Sequence, residues 1–121
     1  MLGLVERIQV SGILGSVWIR AKIDTGSERS TLDSRLAGRL GLGPVIGYVS
    51  TKSSSSNGPV RRPVVRAKLE VAGEKFTLNV GVTDRSRLRY RAIIGKDILA
   101  SGKFLINPTK PPPPRIHQPQ A

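Results

Sequence analysis

The chain is predicted to be an all-β domain, a small barrel of short strands with one or two short helices. Three observations predict it. Apolar and polar residues alternate with period 2 in several separate runs, glycine-containing turns punctuate those runs, and Val, Ile, Leu and Ala dominate the 38% hydrophobic content, of a chain only 4% aromatic. A chain of 121 residues has room for one such domain with a modest core. No internal repeat supplies a second lobe.

Val5, Ile8 and Val10 predict a first short strand, broken by Ser11-Gly12. Gly15 punctuates the chain before Val17, Ile19, Ala21 and Ile23 alternate with Trp18, Arg20 and Lys22, so a half-buried strand runs directly up to Asp24. Leu32, Leu36 and Leu40 fall four apart, with Asp33 or Ser34 placed to cap and Gly41 placed to end a two-turn helix. Val45, Ile46 and Tyr48 begin a hairpin whose return strand holds Val64, Val65, Ala67, Leu69 and Val71, with a serine-rich stretch at residues 52–58 between them. Ala72-Gly73-Glu74 turns into Phe76, Leu78, Val80 and Val82, which alternate with Thr77, Asn79 and Gly81. Residues 89–94 are predicted as a strand entering Gly95, residues 97–101 as a short helix stopped by Gly102, and Phe104-Leu105-Ile106 as a last short strand. Residues 1–109 then make the domain, and residues 110–121, with Pro111, Pro112, Pro113 and Pro114, an extended and disordered tail.

Charge narrows the partners. Lys and Arg number 20 against 8 Asp and Glu, a formal +12, which favours anionic partners such as acidic peptides or nucleic acid. Basic residues gather at Arg61, Arg62, Arg66 and Lys68, and again at Arg85, Arg87, Arg89 and Arg91. The second group alternates with Ser86, Leu88 and Tyr90, so in a strand its arginines would share one face; the same pattern also serves a merely solvated face. Stacking on RNA asks for interleaved aromatics, and only Tyr90 offers one. There is no Cys for a disulfide, no basic-then-apolar leader, and no apolar run long enough to span a bilayer, so a cytoplasmic protein without a membrane partner is expected. The single His117 stands in the proline-rich tail, which leaves no zinc ligand set, and Gly95-Lys96 and Gly102-Lys103 are followed by Asp97 and Phe104 rather than by the Ser or Thr of a phosphate loop. Neither a metal nor a cofactor is expected.

The chemistry centres on Lys22-Ile23-Asp24-Thr25-Gly26-Ser27, where a strand delivers a carboxylate into a tight turn. Asp and Gly are common turn residues for local reasons alone. A second segment, Arg91-Ala92-Ile93-Ile94-Gly95-Lys96-Asp97-Ile98-Leu99, sharpens the signal, and together the two resemble the retropepsin-like aspartic proteases over roughly residues 15–108. Arg61-Arg62-Pro63-Val64-Val65, Thr83-Asp84-Arg85 and Phe104-Leu105-Ile106-Asn107-Pro108 are similar, more closely, to small members often labelled "ATP-dependent zinc proteases".

The resemblance implies a closed retropepsin-like barrel with a flap hairpin. It implies Asp24 as the catalytic carboxylate, Thr25, Gly26 and Ser27 as the active-site turn, and Glu28, Ile94, Gly95, Lys96 and Asp97 as its support, with a Glu28–Lys96 ion pair and Asp97 capping the short helix. Tyr48, Ser54, Ser55, Asn57 and Gly58 fall in the flap, whose alternative is a serine-rich insertion without substrate contact. Aspartic proteolysis needs two carboxyls sharing one proton, and the chain holds one Asp-Thr-Gly, so the reading requires an isologous homodimer with Asp24 of each chain at the axis. The N-terminal residues and Phe104-Leu105-Ile106 are candidates for an intersubunit sheet. Two functions follow: an endopeptidase active on the acid side of neutrality on peptide or protein substrates, acidic ones included, or a catalytically silent dimerisation and binding module for acidic peptides or nucleic acid. Association of glutamate-ligase systems with the related small proteins implies acidic tails as a target.

Overall fold

Alternation decides the first hairpin. In a computed structural model, which describes residues 1–52 and 59–115 and only the backbone of Thr51, Lys52 and Pro59, β1 (Val5–Gly12) and β2 (Gly15–Ile23) pair antiparallel with Ile8 opposite Ile19 and Val10 opposite Val17. The inward set Ile8, Val10, Ala21 and Ile23 is buried, while the two-residue tip, Ile13-Leu14, projects into solvent. The break expected from sequence at Ser11-Gly12 does not occur: Gly12 still pairs with Gly15, and a side chain on it would overlap the Leu40 carbonyl.

After the Asp24 turn comes β3 (Thr31–Asp33), which takes Leu32 out of the predicted helical stripe and buries it between two strands. Helix α1 (Ser34–Leu40) follows, capped by the Asp33 carboxylate, which accepts from Leu36 N at 3.3 Å, and ended by Gly41 at φ 67°, a left-handed conformation that glycine adopts without a Cβ penalty. The long hairpin β4 (Val45–Lys52) and β5 (Pro59–Val71) leads through Ala72-Gly73 into β6 (Glu74–Thr83). Then β7 (Ala92–Ile94) precedes α2 (Lys96–Ser101).

The sheet order is β1-β2-β7-β3-β6-β5-β4, and β1 also pairs with β5. Six strands therefore close into a barrel. The second half of β5 belongs to it, held by β6 and β1, whereas its first half pairs only with β4, so the β4–β5 hairpin extends beyond the barrel wall. Leu32, Leu69, Ile94 and Ile98 are among the fully buried side chains, each contributing about 1.5–3 kcal/mol by burial. The two phenylalanines pack only at its margin, with ring centroids 6.1 Å apart.

One further expectation is corrected. The predicted strand over residues 89–94 shortens to β7, because Asp84 accepts from Ser86 N at 2.9 Å and Arg85 O from Leu88 N at 3.0 Å, folding the preceding segment into turns. Its arginines consequently do not share a strand face. The N-terminus and the segment after Phe104 pair with each other in one chain: Leu2 N donates to Leu105 O at 2.8 Å and Asn107 N to Leu2 O at 2.7 Å, which occupies one edge of each segment. Contacts continue into Lys110, whose ammonium lies 2.8 Å from Glu6 Oε2, while residues 111–115 form no helix or strand.

Candidate active site

Strand β2 ends at Ile23 because the chain must leave the barrel there. Ile23 and Ile94 are side-by-side partners in the parallel β2–β7 pair, and Asp24 N donates to Ile94 O at 2.9 Å, so the first residue of the turn is still tied to the wall. Gly26 N donates to Asp24 Oδ1 at 2.9 Å and Ser27 N to Asp24 O at 3.2 Å, an Asx-type turn that orients a partly buried carboxylate. Thr25 and Gly26 are exposed at its tip. Ser27 Oγ donates back to Arg29 O at 2.8 Å, holding its hydroxyl within its own turn.

Beneath the turn lies a buried polar network. Ser30, with no exposed surface, donates its hydroxyl to Asp97 Oδ1 at 2.7 Å and accepts from Gly95 N at 3.0 Å, while its amide donates to Asp97 Oδ2 at 2.8 Å. Asp97 Oδ1 also accepts from Ile98 N at 2.8 Å. Asp97 is therefore not the helix cap expected from sequence: Gly95 holds that position, and Asp97, in the first turn, ties α2 to the Asp24 loop. Lys96 N to Ser27 O at 2.8 Å and Asp97 N to Glu28 O at 3.2 Å complete the join. A Cβ on Gly95 would stand 2.7 Å from Ser27 O and 2.9 Å from the Arg29 carbonyl carbon, so the loop and the helix meet backbone to backbone. Above them, Lys96 Nζ lies 3.0 Å from Glu28 Oε1, with both side chains largely exposed.

Of the buried polar residues among those described, Ser30, Asp33 and Arg85, sequence reasoning gave no role to Ser30 and placed Arg85 only in a basic cluster, whereas Asp33, one of its two candidate caps, does cap α1. Asp33 Oδ1 accepts from Arg85 N at 2.7 Å and Oδ2 lies 3.5 Å from Arg91 Nη1, so one carboxylate caps α1 and anchors the turns after β6. Arg85 Nε donates to Tyr90 O at 2.9 Å. Burial pushes the Arg85 guanidinium below its ordinary value, opposed by the Asp33 carboxylate. Next to it, the hydroxyl and amide of Ser86 hold the Asp84 carboxyl below its ordinary range. The signal for this arrangement is Thr83-Asp84-Arg85-Ser86, an Asx-turn sequence at a strand end.

Of the residues expected in the flap, Tyr48 is exposed on β4 with the Arg61 guanidinium 4.6 Å from its ring centroid, while Ser54, Ser55, Asn57 and Gly58 lie outside the described residues. Zinc does not fit the side chains on hand. The chain has no Cys and one His, and no three of His, Cys, Asp and Glu come together among the described residues. No described helix is long and apolar enough to cross a membrane.

A closed six-strand barrel that presents an Asp-Thr-Gly turn, braced by a helix entered through Ile94-Gly95, defines a retropepsin-like protein of the aspartyl protease class. The aspartyl protease family profile matches residues 8–98, and the chain belongs to that family. Its barrel is similar to three solved structures. A Legionella pneumophila protein of unknown function (DUF785) is 18% identical with a TM-score of 0.58, covering 90% of this chain and 93% of its own. EIAV protease in complex with the inhibitor HBY-793 is 19% identical with a TM-score of 0.56, covering 82% and 86%. The retroviral protease-like domain of Ddi1 from Leishmania major is 18% identical with a TM-score of 0.57, covering 87% and 81%. No curated protein matches the chain.

Proposed function

We propose that the protein is a homodimeric aspartic endopeptidase. The observation that carries this reading is the placement of Asp24: its amide is fixed to Ile94 O, its Oδ1 to Gly26 N, and the turn beyond it is exposed, so a second copy can approach with its own Asp24. One protomer presents a single carboxylate there, and the reaction needs two. With one Asp24 ionised and the other protonated, the carboxylate takes a proton from water as its oxygen attacks the scissile carbonyl carbon, and the protonated partner donates to the carbonyl oxygen. The tetrahedral intermediate then collapses: the carboxyl that took the water proton passes it to the leaving nitrogen, a hydroxyl of the intermediate returns a proton to the other Asp24, and the C–N bond breaks. Thr25, Gly26 and Ser27 shape the turn against substrate and partner, and Glu28, Ile94, Gly95, Lys96 and Asp97 keep it in place.

The β4–β5 hairpin, which reaches past the barrel, is the flap of this reading, and Tyr48 is its described exposed aromatic. The formal charge of +12 favours acidic peptide segments as substrates. A second reading, a non-hydrolytic module for acidic peptides or nucleic acid, rests on β4, whose outer edge has no strand partner among the described residues. Cleavage of a diverse peptide library, read by mass spectrometry at about pH 3 to 8, separates the two. Cuts present with the wild-type chain and lost in Asp24→Asn support the peptidase; a dimer that makes no Asp24-dependent cut supports the module.

A further inference from the structure

Two cations come together at the end of the barrel where β5 enters the wall and β6 leaves it. Strand β5 sets Val64 opposite Gly81 of β6, and Gly81 is in turn the partner of Thr31 of β3. Two residues before Val64, on the same face of β5 as that buried side chain, stands Arg62, at the point where the hairpin departs from the barrel. Its neighbour Arg61 takes the opposite face and covers Tyr48. The Arg62 Nε is buried and has no hydrogen-bond partner among the described residues. An unpaired guanidinium nitrogen removed from water is costly unless a ligand completes it.

Arg85 follows β6 at the same end. Only 8% of its surface is exposed, and its backbone and Nε are held by Asp33 and Tyr90, which fixes the guanidinium without using its terminal nitrogens in any hydrogen bond among the described residues. The charges that act on it are Asp33, Arg62 and Asp24, so the two arginines repel each other within reach of the proposed catalytic carboxylate. Asp33 is already occupied by Leu36 N, Arg85 N and Arg91. With Asp33 already engaged, the two positive groups lack an anion, and an Arg pair matches a carboxylate in charge and geometry.

We infer that Arg62 and Arg85 form a subsite that holds a carboxylate of the bound peptide. The inference rests on the peptidase reading for where the peptide lies, and it names the two residues that set specificity. The carboxylate is either an Asp or Glu side chain or the free C-terminus of the peptide.

The test uses fluorescent peptides of about ten residues, with one Glu stepped through each position, against the same set carrying Gln and against C-terminal amides. Binding is measured on the full chain as Asp24→Asn, alone and combined with Arg62→Gln, Arg62→Lys or Arg85→Gln, with thermal melts to establish that each is folded; cleavage is measured on the wild type. A charge-assisted bond of this kind corresponds to about 10-fold or more in affinity. The expected result is a preference of that size for Glu over Gln at one position, or for the free C-terminus, falling below about 2-fold in Arg62→Gln and partly kept in Arg62→Lys. Equal binding of Glu, Gln and amide peptides, or a preference untouched in Arg62→Gln, overturns the subsite. Cleavage without an acidic preference overturns the subsite and leaves the peptidase standing. Carboxylate-selective binding without any cleavage supports the subsite and overturns the peptidase.

Discussion

Replacing Ser30 with alanine removes one oxygen from the centre of the network beneath the Asp24 turn. That oxygen serves two buried partners: it donates to Asp97 at 2.7 Å and accepts from Gly95 N at 3.0 Å. Leaving the Gly95 amide unpaired costs about 1–3 kcal/mol, and a hydrogen bond to a carboxylate is worth about 1.5–3 kcal/mol. Asp97 keeps the amides of Ser30 and Ile98, so the carboxylate is not stranded and the lower part of the combined range applies, about 3 kcal/mol. In urea, with an m-value of about 1.5–2 kcal/mol/M, the midpoint of Ser30→Ala falls by about 1.5–2 M. Glu28→Gln is the control: its ion pair is exposed on both sides, so its stability stays within about 0.5 kcal/mol of wild type. A Ser30→Ala loss below about 1 kcal/mol would refute the claim that this network binds α2 to the turn.

Gly95→Ala forces a methyl group against Ser27 O and the Arg29 carbonyl carbon, backbone atoms that cannot rotate away, so a loss of about 1–3 kcal/mol is expected in the same denaturation assay. Asp84 sets a pH dependence. Its carboxyl is held below the ordinary value of 3.8 by Ser86, so its contribution is fully present above that value and disappears as pH falls through the lower folded value. Asp84→Ala is therefore less stable than wild type at about pH 7, and the difference narrows as pH falls below 3.8, as followed by thermal melts.

Much of the fold was legible because period-2 alternation and turn chemistry agree. Ile8, Val10, Ala21 and Ile23 all face inward as their spacing predicts, and Gly41 ends α1 in the left-handed conformation expected after a leucine stripe. Errors arose where a local pattern has two solutions. The alternating arginines from Arg85 to Arg91 fit a strand face as well as a string of turns, and hydrogen bonds to Asp84 and Asp33 decide for turns. Leu32 stands in register with Leu36 and Leu40, yet pairing with β6 and β7 claims it for a strand. The Asp24 motif was visible from its own residues. The resemblance also pointed to Gly95 and Asp97 as its support, but not to Ser30, which meets both across more than sixty positions of sequence, a contact that no spacing rule encodes.

The central claim is that two Asp24 carboxylates, one from each chain, make one site. Subunit mixing tests it most directly: wild type is equilibrated with an equal amount of Asp24→Asn, and Asp24-dependent peptide cleavage is measured per wild-type chain. If the site is shared, random pairing leaves half of the wild-type chains in active dimers, and the rate falls to about half. A rate per wild-type chain that stays unchanged, with subunit exchange verified, would mean that one Asp24 suffices and would contradict the account.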